Sequence, residues 1–468
     1  MKVGKGKKVT YLLAITMFVV VLLTSCSSAD KDKGGVTTLS FWSIYPEGDP
    51  NYEWTKSVIQ RFEEENQNIK IQYTGISFWD YFTKITTAMT DTNGPDVYIQ
   101  TIKDNIDRAK GGVSMELTPY FDEDMNADYF YEADINPMTY EKKVFGLPYA
   151  LDNRVLYYNV DLLNELSSTT DEQWIATKAG KQENSTITGK PADLVGTDGN
   201  VRAPRTWDEF RAYQELLTKE DKGRITQLGF DVAVGNCMFV NAVWNKGGEF
   251  FDADGNATLT TDPKVKEGFE LWHNLTHTIP TAKVNAFLNS AGENTTNLFW
   301  NGSVAMMIAT NEIPWLNERL EEKDRVPLGA APIPYDNVEE NRYNFTGGFS
   351  IEVSNRLSKK SKETKEAAWK FVEYMCSPDI QKEVLLMSSN MPANIKTYDE
   401  LFQEITDPVK TVVLTEMAHR KAYNYIYDAP NWWGEVQSVV TDMVSDKYTI
   451  EEAISHAEKA ILKLKASY

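Results

Sequence analysis

Apolar and polar positions alternate at two periods along this chain, and each change of period marks an element. Leu39 and Phe41 alternate with polar neighbours, which predicts a short strand ending at Trp42-Ser43. Trp54, Val58, Ile59 and Phe62 then recur at helical spacing, and Ile69, Ile71 and Tyr73 return to strand spacing. A second helix is expected from about Trp79 to Thr90. Asn93-Gly94-Pro95 breaks it, and Asp96-Val97-Tyr98-Ile99 opens another strand. Strands alternating with helices predict an α/β fold with a largely parallel sheet. Ligands of such sheets lie beyond the strand carboxyl ends, here at loops such as 43–50 and 100–105.

Three further helices carry their own start or stop signals. Thr206-Trp207-Asp208-Glu209 predicts a capping box, in which Thr206 accepts from the Glu209 amide and the Glu209 side chain returns to the Thr206 amide. Thr449 and Glu452 predict a second box ahead of a stripe of Ile450, Ala453, Ile454, Ala457, Ile461 and Leu464. A helix from about Thr364 to Cys376 stops at Ser377-Pro378. Residues 167–203 are poor in apolar side chains and lack a period, and read as a surface insertion.

At the N-terminus, Lys2, Lys5, Lys7 and Lys8 precede an apolar run from Tyr11 to Leu23. That run is shorter than the roughly 20 residues that span a bilayer, so 1–25 is expected to be a signal peptide. Its end, Leu23-Thr24-Ser25-Cys26, resembles the lipobox of bacterial lipoproteins. The resemblance implies a diacylglycerol on Cys26, with 26–35 as the lipidated cysteine and a polar tether. Ser27 after the cysteine, where an aspartate would favour inner-membrane retention, leans toward a Gram-positive host. The expected location is therefore the outer face of the cytoplasmic membrane.

Without the four leader lysines the chain holds 44 basic against 68 acidic residues, a net charge of −24. Such a chain repels phosphate backbones, which argues against nucleic-acid binding. Cys237 and Cys376 lie far apart among apolar residues and read as free thiols, not as a bridge.

Several strings, in order along the chain from about residue 36, resemble the sugar-importing bacterial extracellular solute-binding proteins, the group containing maltose-binding protein. They are Gly94-Pro95-Asp96-Val97, Gly146-Leu147-Pro148-Tyr149, Leu156-Tyr157-Tyr158-Asn159 and Asp161-Leu162-Leu163. Pro204-Arg205-Thr206-Trp207-Asp208-Glu209-Phe210 and Phe299-Trp300-Asn301-Gly302-Ser303-Val304-Ala305-Met306 follow. Ala331-Pro332-Ile333-Pro334, Gly347-Gly348 and Ala367-Ala368-Trp369-Lys370-Phe371 complete the series. The insertion 167–203 is the main departure. The resemblance implies a two-lobed periplasmic-binding-protein-like α/β fold with the ligand cleft between lobes. One lobe is expected from 36–150 with 350–395, the other from 151–349 with 396–468. It also implies a monomer that captures a carbohydrate and delivers it to the permease subunits of an ABC transporter, touching the membrane only through its lipid. Neither a cofactor nor a catalytic role is implied.

A sugar ring offers a C–H face to aromatic side chains and a belt of hydroxyls to carboxylates, amides and guanidinium groups. By position in the resemblance, Trp42, Ser43, Tyr45 and Glu47 are candidates in the first loop. Asp152 matches a sugar-bonding carboxylate, flanked by Asn153 and Arg154, although Arg154 equally suits a structural ion pair. Trp244 precedes Gly247-Gly248, while Asn311, Glu312 and Trp315 follow Ala305-Met306, and Phe349 follows the later glycine pair. The last candidates are Tyr427, Asn431, Trp432 and Trp433 in an aromatic loop before a helix. Adjacent tryptophans cannot both face one core from a helix, so either one is a platform or one is buried with its neighbour at a lobe interface.

Other chemistry is set aside. His273 and His277 have chelating spacing, but Asn274 breaks the His-Glu-x-x-His pattern and no third ligand is apparent, so no metal is expected. Asp252-Ala253-Asp254-Gly255-Asn256 lacks the remaining EF-hand ligands and reads as a β-hairpin turn. A non-sugar solute such as a polyamine or peptide stays open as an alternative, as does, more remotely, a glycan-cleaving enzyme with paired carboxylates.

Overall fold

The computed structural model describes residues 35–467 apart from 91–93, 178–194, 197, 293, 337–338, 424–425, 427 and 430. The leader with Cys26 and most of the insertion, together with Tyr427, lie outside the described residues. Among those described, no helix is long and apolar enough to cross a membrane.

The predicted opening pattern folds as read. Thr37–Ser43 and Ile69–Gly75 are parallel strands, with Pro50–Glu65 as the helix between them. Trp54, Val58, Ile59 and Phe62 form its buried face, and the Asp49 side chain caps its first turn by accepting from the Asn51 amide. Phe78–Thr90 leads on to Val97–Thr101, which is again parallel to the first strand. The rest of this six-stranded sheet departs from the parallel expectation. Gly348–Val353 runs antiparallel to both Val97–Thr101 and Leu147–Leu151, and Met391–Pro392 pairs antiparallel at the edge. Two of its six strands therefore come from chain that has left the lobe and returned, which short-range period cannot reveal.

A second sheet has three antiparallel strands, with Arg154–Asn159 between Met306–Thr310 and Leu328–Ala331. Alternate side chains of its central strand enter different cores. Val155 and Tyr157 join the cluster continuous with the first sheet, while Leu156 joins the one beneath the later helices. The result is the expected two-lobed α/β fold.

Only Asp152 and Asn153 separate the last strand of the first lobe from the central strand of the second. Thr346 and Gly347 make the return crossing beside them, between the strand Asn344–Phe345 and the strand Gly348–Val353. Gly348 has φ +125°, and a Cβ there would lie 2.4 Å from the Ala150 carbonyl oxygen, so this crossing requires glycine. Further along, Ile395–Glu404 stays with the first lobe, where the Thr397 hydroxyl donates to the Pro378 carbonyl at 3.1 Å. Pro408–Glu416 then packs on the second sheet.

The capping expectations divide. Thr449 and Glu452 form the reciprocal box ahead of Ile450–Ser467, with bonds of 2.9 and 3.3 Å. Thr206 caps Trp207–Leu217 by accepting from the Glu209 amide at 3.2 Å. The Glu209 carboxylate, however, turns to Arg202 and to the Arg205 amide, because a buried carboxylate gains more from a guanidinium than from one terminal amide. Phe251 and Ala257 bridge across the Asp252–Asn256 turn, as the hairpin reading expects. Cys237 and Cys376 are free, and burial pushes both thiols well above their ordinary range.

Candidate ligand-binding site

A cavity of about 700 Å³ opens between the lobes, within the size range of small-molecule sites. From the first lobe, Phe78 and Phe82 contribute to its wall because they stand four apart on the first turns of their helix. Their rings lie 5.3 Å apart, and Phe349 completes the group at 6.3 and 6.5 Å. The turn from Thr101 to Asp104, just past the carboxyl end of its strand, lies at the edge of this wall.

The facing wall comes from the second lobe. Trp433 stacks on Tyr423 at 4.6 Å and 29°, while Trp432 is only 2 % exposed and wedges between Phe250 and Phe251 at 5.2 and 5.0 Å. The two indole planes diverge by 81°, so one ring serves the core and its neighbour faces the cleft. Asn431, at the start of the same helix, also lines the cavity.

Charged groups cross-brace the cavity. Asp152 pairs with Arg154, accepts from the Gly347 amide at 2.6 Å, and through its carbonyl accepts from the Thr346 hydroxyl at 2.7 Å. It therefore ties both chain crossings together. Arg154 also donates to the Asn236 side chain at 3.1 and 3.2 Å and lies 4.6 Å over the Phe345 ring. Arg420, on the strand paired with Asn344–Phe345, reaches Asp134 beside the first lobe at 2.6 Å. Burial pushes the Asp134 carboxyl up to about 6, against the pull of Arg420.

The sequence candidates thus fall into groups. Asp152, Arg154, Phe349, Asn431, Trp432 and Trp433 meet at this cavity. Trp42 packs in the aromatic cluster behind Phe82 and Phe349, whereas Ser43 and Tyr45 are buried and Glu47 is exposed away from the cavity lining. Asn153 and Asn311 are buried where the lobes join. Asn153 donates to the Val413 carbonyl at 2.9 Å, and Asn311 donates to that of Ser389 at 2.5 Å. Glu312 accepts from the Thr310 hydroxyl, and burial raises its carboxyl above the ordinary value. Trp244 and Trp315 are buried under Lys421 and Lys410, at 5.0 and 5.2 Å. Phe82, Asp134, Arg420 and Tyr423 also line the cavity without having been singled out. The i, i+4 spacing of Phe78 and Phe82 at a helix start was a visible signal; the others have none, being brought in by tertiary packing.

A hinged pair of α/β lobes with a cleft walled from both sides defines a solute-binding protein of the lobe-closing class. The chain belongs to the bacterial extracellular solute-binding protein family, which it matches over residues 45–382. It is 22 % identical over 465 residues to the maltodextrin-binding protein of Bacillus subtilis, covering 96 % of each chain. A binding protein of Brucella abortus is 25 % identical over 378 residues, which is 80 % of this chain and 79 % of the relative. Among solved structures, the ABC substrate-binding protein of Listeria monocytogenes in complex with cycloalternan superposes with a TM-score of 0.69. That match has 20 % identity and covers 92 % of this chain and 98 % of the other.

Proposed function

We propose that this protein captures an oligosaccharide between its lobes, outside the cell, and delivers it to the permease of an ABC importer. The carrying observation is the aromatic cleft, with Phe78, Phe82 and Phe349 facing Trp433 and Tyr423 across about 700 Å³. Apolar rings on both sides suit the two faces of a sugar, and the polar groups at the crossings suit its hydroxyls. Ligand held by both lobes would favour the closed form, because only that form contacts it from both sides.

Charge balance favours a neutral sugar over a polyamine. The lining carboxylates Asp104, Asp134 and Asp152 are matched by Lys103, Arg154, Arg420 and Lys421, of which Arg420 pairs with Asp134, Arg154 with Asp152, and Lys421 with Glu249 outside the lining. An amine would enter a wall with no acidic surplus among the described residues.

A thermal-shift screen of purified protein against malto-, manno- and arabino-oligosaccharides is expected to give a saturable rise in Tm for at least one series. The sugar should then be recovered unchanged after long incubation. A shift with a polyamine or peptide alone would sink the sugar assignment, and new reducing ends would turn the reading toward hydrolysis.

Delivery at the membrane rests on Cys26 as the lipid anchor. Cys26→Ala is expected to release the protein into the medium or leave an unprocessed precursor, read by fractionation and intact mass. Normal processing with full membrane retention would contradict the anchor.

A further inference from the structure

A second site stands on the helical layer of the second lobe, apart from the cavity lining. His273 and His277 end the helix Pro263–His277 four residues apart, so their rings share one face. The rings are parallel, 4.0 Å apart at 6°. Asp446, from the turn between Trp432–Val444 and Ile450–Ser467, meets them. One ligand atom from each of the three side chains lies within 4.8 Å of the other two. We propose that His273, His277 and Asp446 bind a late first-row divalent metal ion, with zinc as the defining case, and so clamp this helix to that turn.

The hydrogen bonding argues for a cation at this point. His277 Nδ1 lies 2.8 Å from the His273 carbonyl oxygen and 2.9 Å from the Thr276 hydroxyl; the carbonyl can only accept, so the tautomer with the proton on Nδ1 makes that contact a hydrogen bond. In that tautomer Nε2 directs its lone pair toward the Asp446 carboxylate, 3.3 Å away. Two acceptors at that separation are reconciled by a shared cation. A ring nitrogen proton given to a backbone carbonyl is also the arrangement that orients histidine ligands toward a metal. Asp446 is held independently of any ion. Its amide donates to the Met443 carbonyl at 3.0 Å, and the following amide, of Lys447, donates to the Asp442 carbonyl at 3.0 Å. Two imidazoles and one carboxylate match the ligand preference of zinc, copper(II) or nickel(II), not magnesium or calcium, and leave the remaining position to water.

Without a metal, a proton serves instead, either on an imidazolium paired with the carboxylate or on Nε2 of a neutral ring whose Nδ1 accepts from the Thr276 hydroxyl. The test separates them. The untagged full-length protein, stripped with chelator, is titrated with zinc chloride by calorimetry at neutral pH, and its Tm is followed in parallel. One-site binding with a rise in Tm is expected. His273→Ala/His277→Ala should abolish both, and Asp446→Ala should weaken binding at least tenfold, because it removes one of three protein ligands. All three side chains are at least partly exposed, and the metal-free Tm of each variant verifies that it folds. No saturable zinc binding by the unsubstituted protein overturns the site and leaves the proton. Binding that survives the double substitution, is unchanged in Asp446→Ala, or is matched by magnesium also overturns it.

Discussion

Replacing Trp432 with alanine is expected to cost the unliganded protein about 3–5 kcal/mol, the range for removing a large aromatic side chain from a core. Trp433→Ala should cost much less stability and instead weaken saccharide binding by roughly tenfold or more. The difference follows from where each ring sits. Trp432 is 2 % exposed and packed against Phe250, Phe251 and Tyr423, so its removal leaves a hole that rigid neighbours fill poorly. Trp433 keeps partial exposure on the cleft side and rests on Tyr423 at 4.6 Å, with Phe239 and Phe250 more distant at 6.2 Å, so the apo protein loses the contacts of a partly exposed ring. A bound sugar would lose apolar contact worth about 1.5–3 kcal/mol when such a ring is fully covered, and 1.4 kcal/mol is already tenfold. Denaturant melts without ligand and calorimetric titration with it measure the two quantities separately. Equal stability losses would place both rings in the core, and normal binding by Trp433→Ala would move the platform to Phe78, Phe82 and Phe349.

The same pair shows how far a sequence can be read. That adjacent tryptophans on a helix must diverge is geometry, and the structure separates them by 81°. Which one turns inward is decided by Phe250 and Phe251, some 180 residues earlier, and no local pattern contains that. The first lobe was legible from its start because its strands and helices alternate within short windows; its two antiparallel strands were not, since Gly348–Val353 and Met391–Pro392 enter after the second sheet is built. At the site, Asp152 and Arg154 were found through the resemblance, together with the possibility that Arg154 is a structural partner, and the two are paired. Asp134 and Arg420 are 286 residues apart and meet only because the lobes face each other. The histidine pair was visible at its i, i+4 spacing, but its third member, Asp446, lies 169 residues beyond His277 and reaches it only in the fold.

Removing the Glu352 carboxylate is expected to be as damaging as removing Trp432, for an electrostatic reason. Glu352 is fully buried on the strand Gly348–Val353, where it accepts from Arg108 at 2.5 and 3.0 Å, Ser114 at 2.6 Å, Ser350 at 2.7 Å and Tyr98 at 2.9 Å. Burial alone would raise its carboxyl, but Arg108 and these donors hold it below the ordinary 4.5. Glu352→Leu leaves Arg108 charged and nearly buried without its carboxylate, a loss of about 3–5 kcal/mol; Arg108→Met/Glu352→Leu should regain much of it, since an apolar pair has no desolvation to offset. The sign with pH follows from the lowered value. The unfolded chain takes up the proton first as pH falls, so this stabilisation is complete above the ordinary 4.5 and is lost as pH falls through the lower folded value. Denaturant melts between neutral pH and pH 3 should therefore show an acid-side loss that the double variant lacks. The pair also reaches the cleft: Arg108 donates to the Thr101 carbonyl at 2.6 Å, at the start of the turn from Thr101 to Asp104 on the cavity edge. The double variant, though stable, is expected to bind saccharide more weakly than the parent, because the guanidinium that fixes this turn is gone. Parent-like affinity in the double variant would confine the pair to the core and detach it from the site.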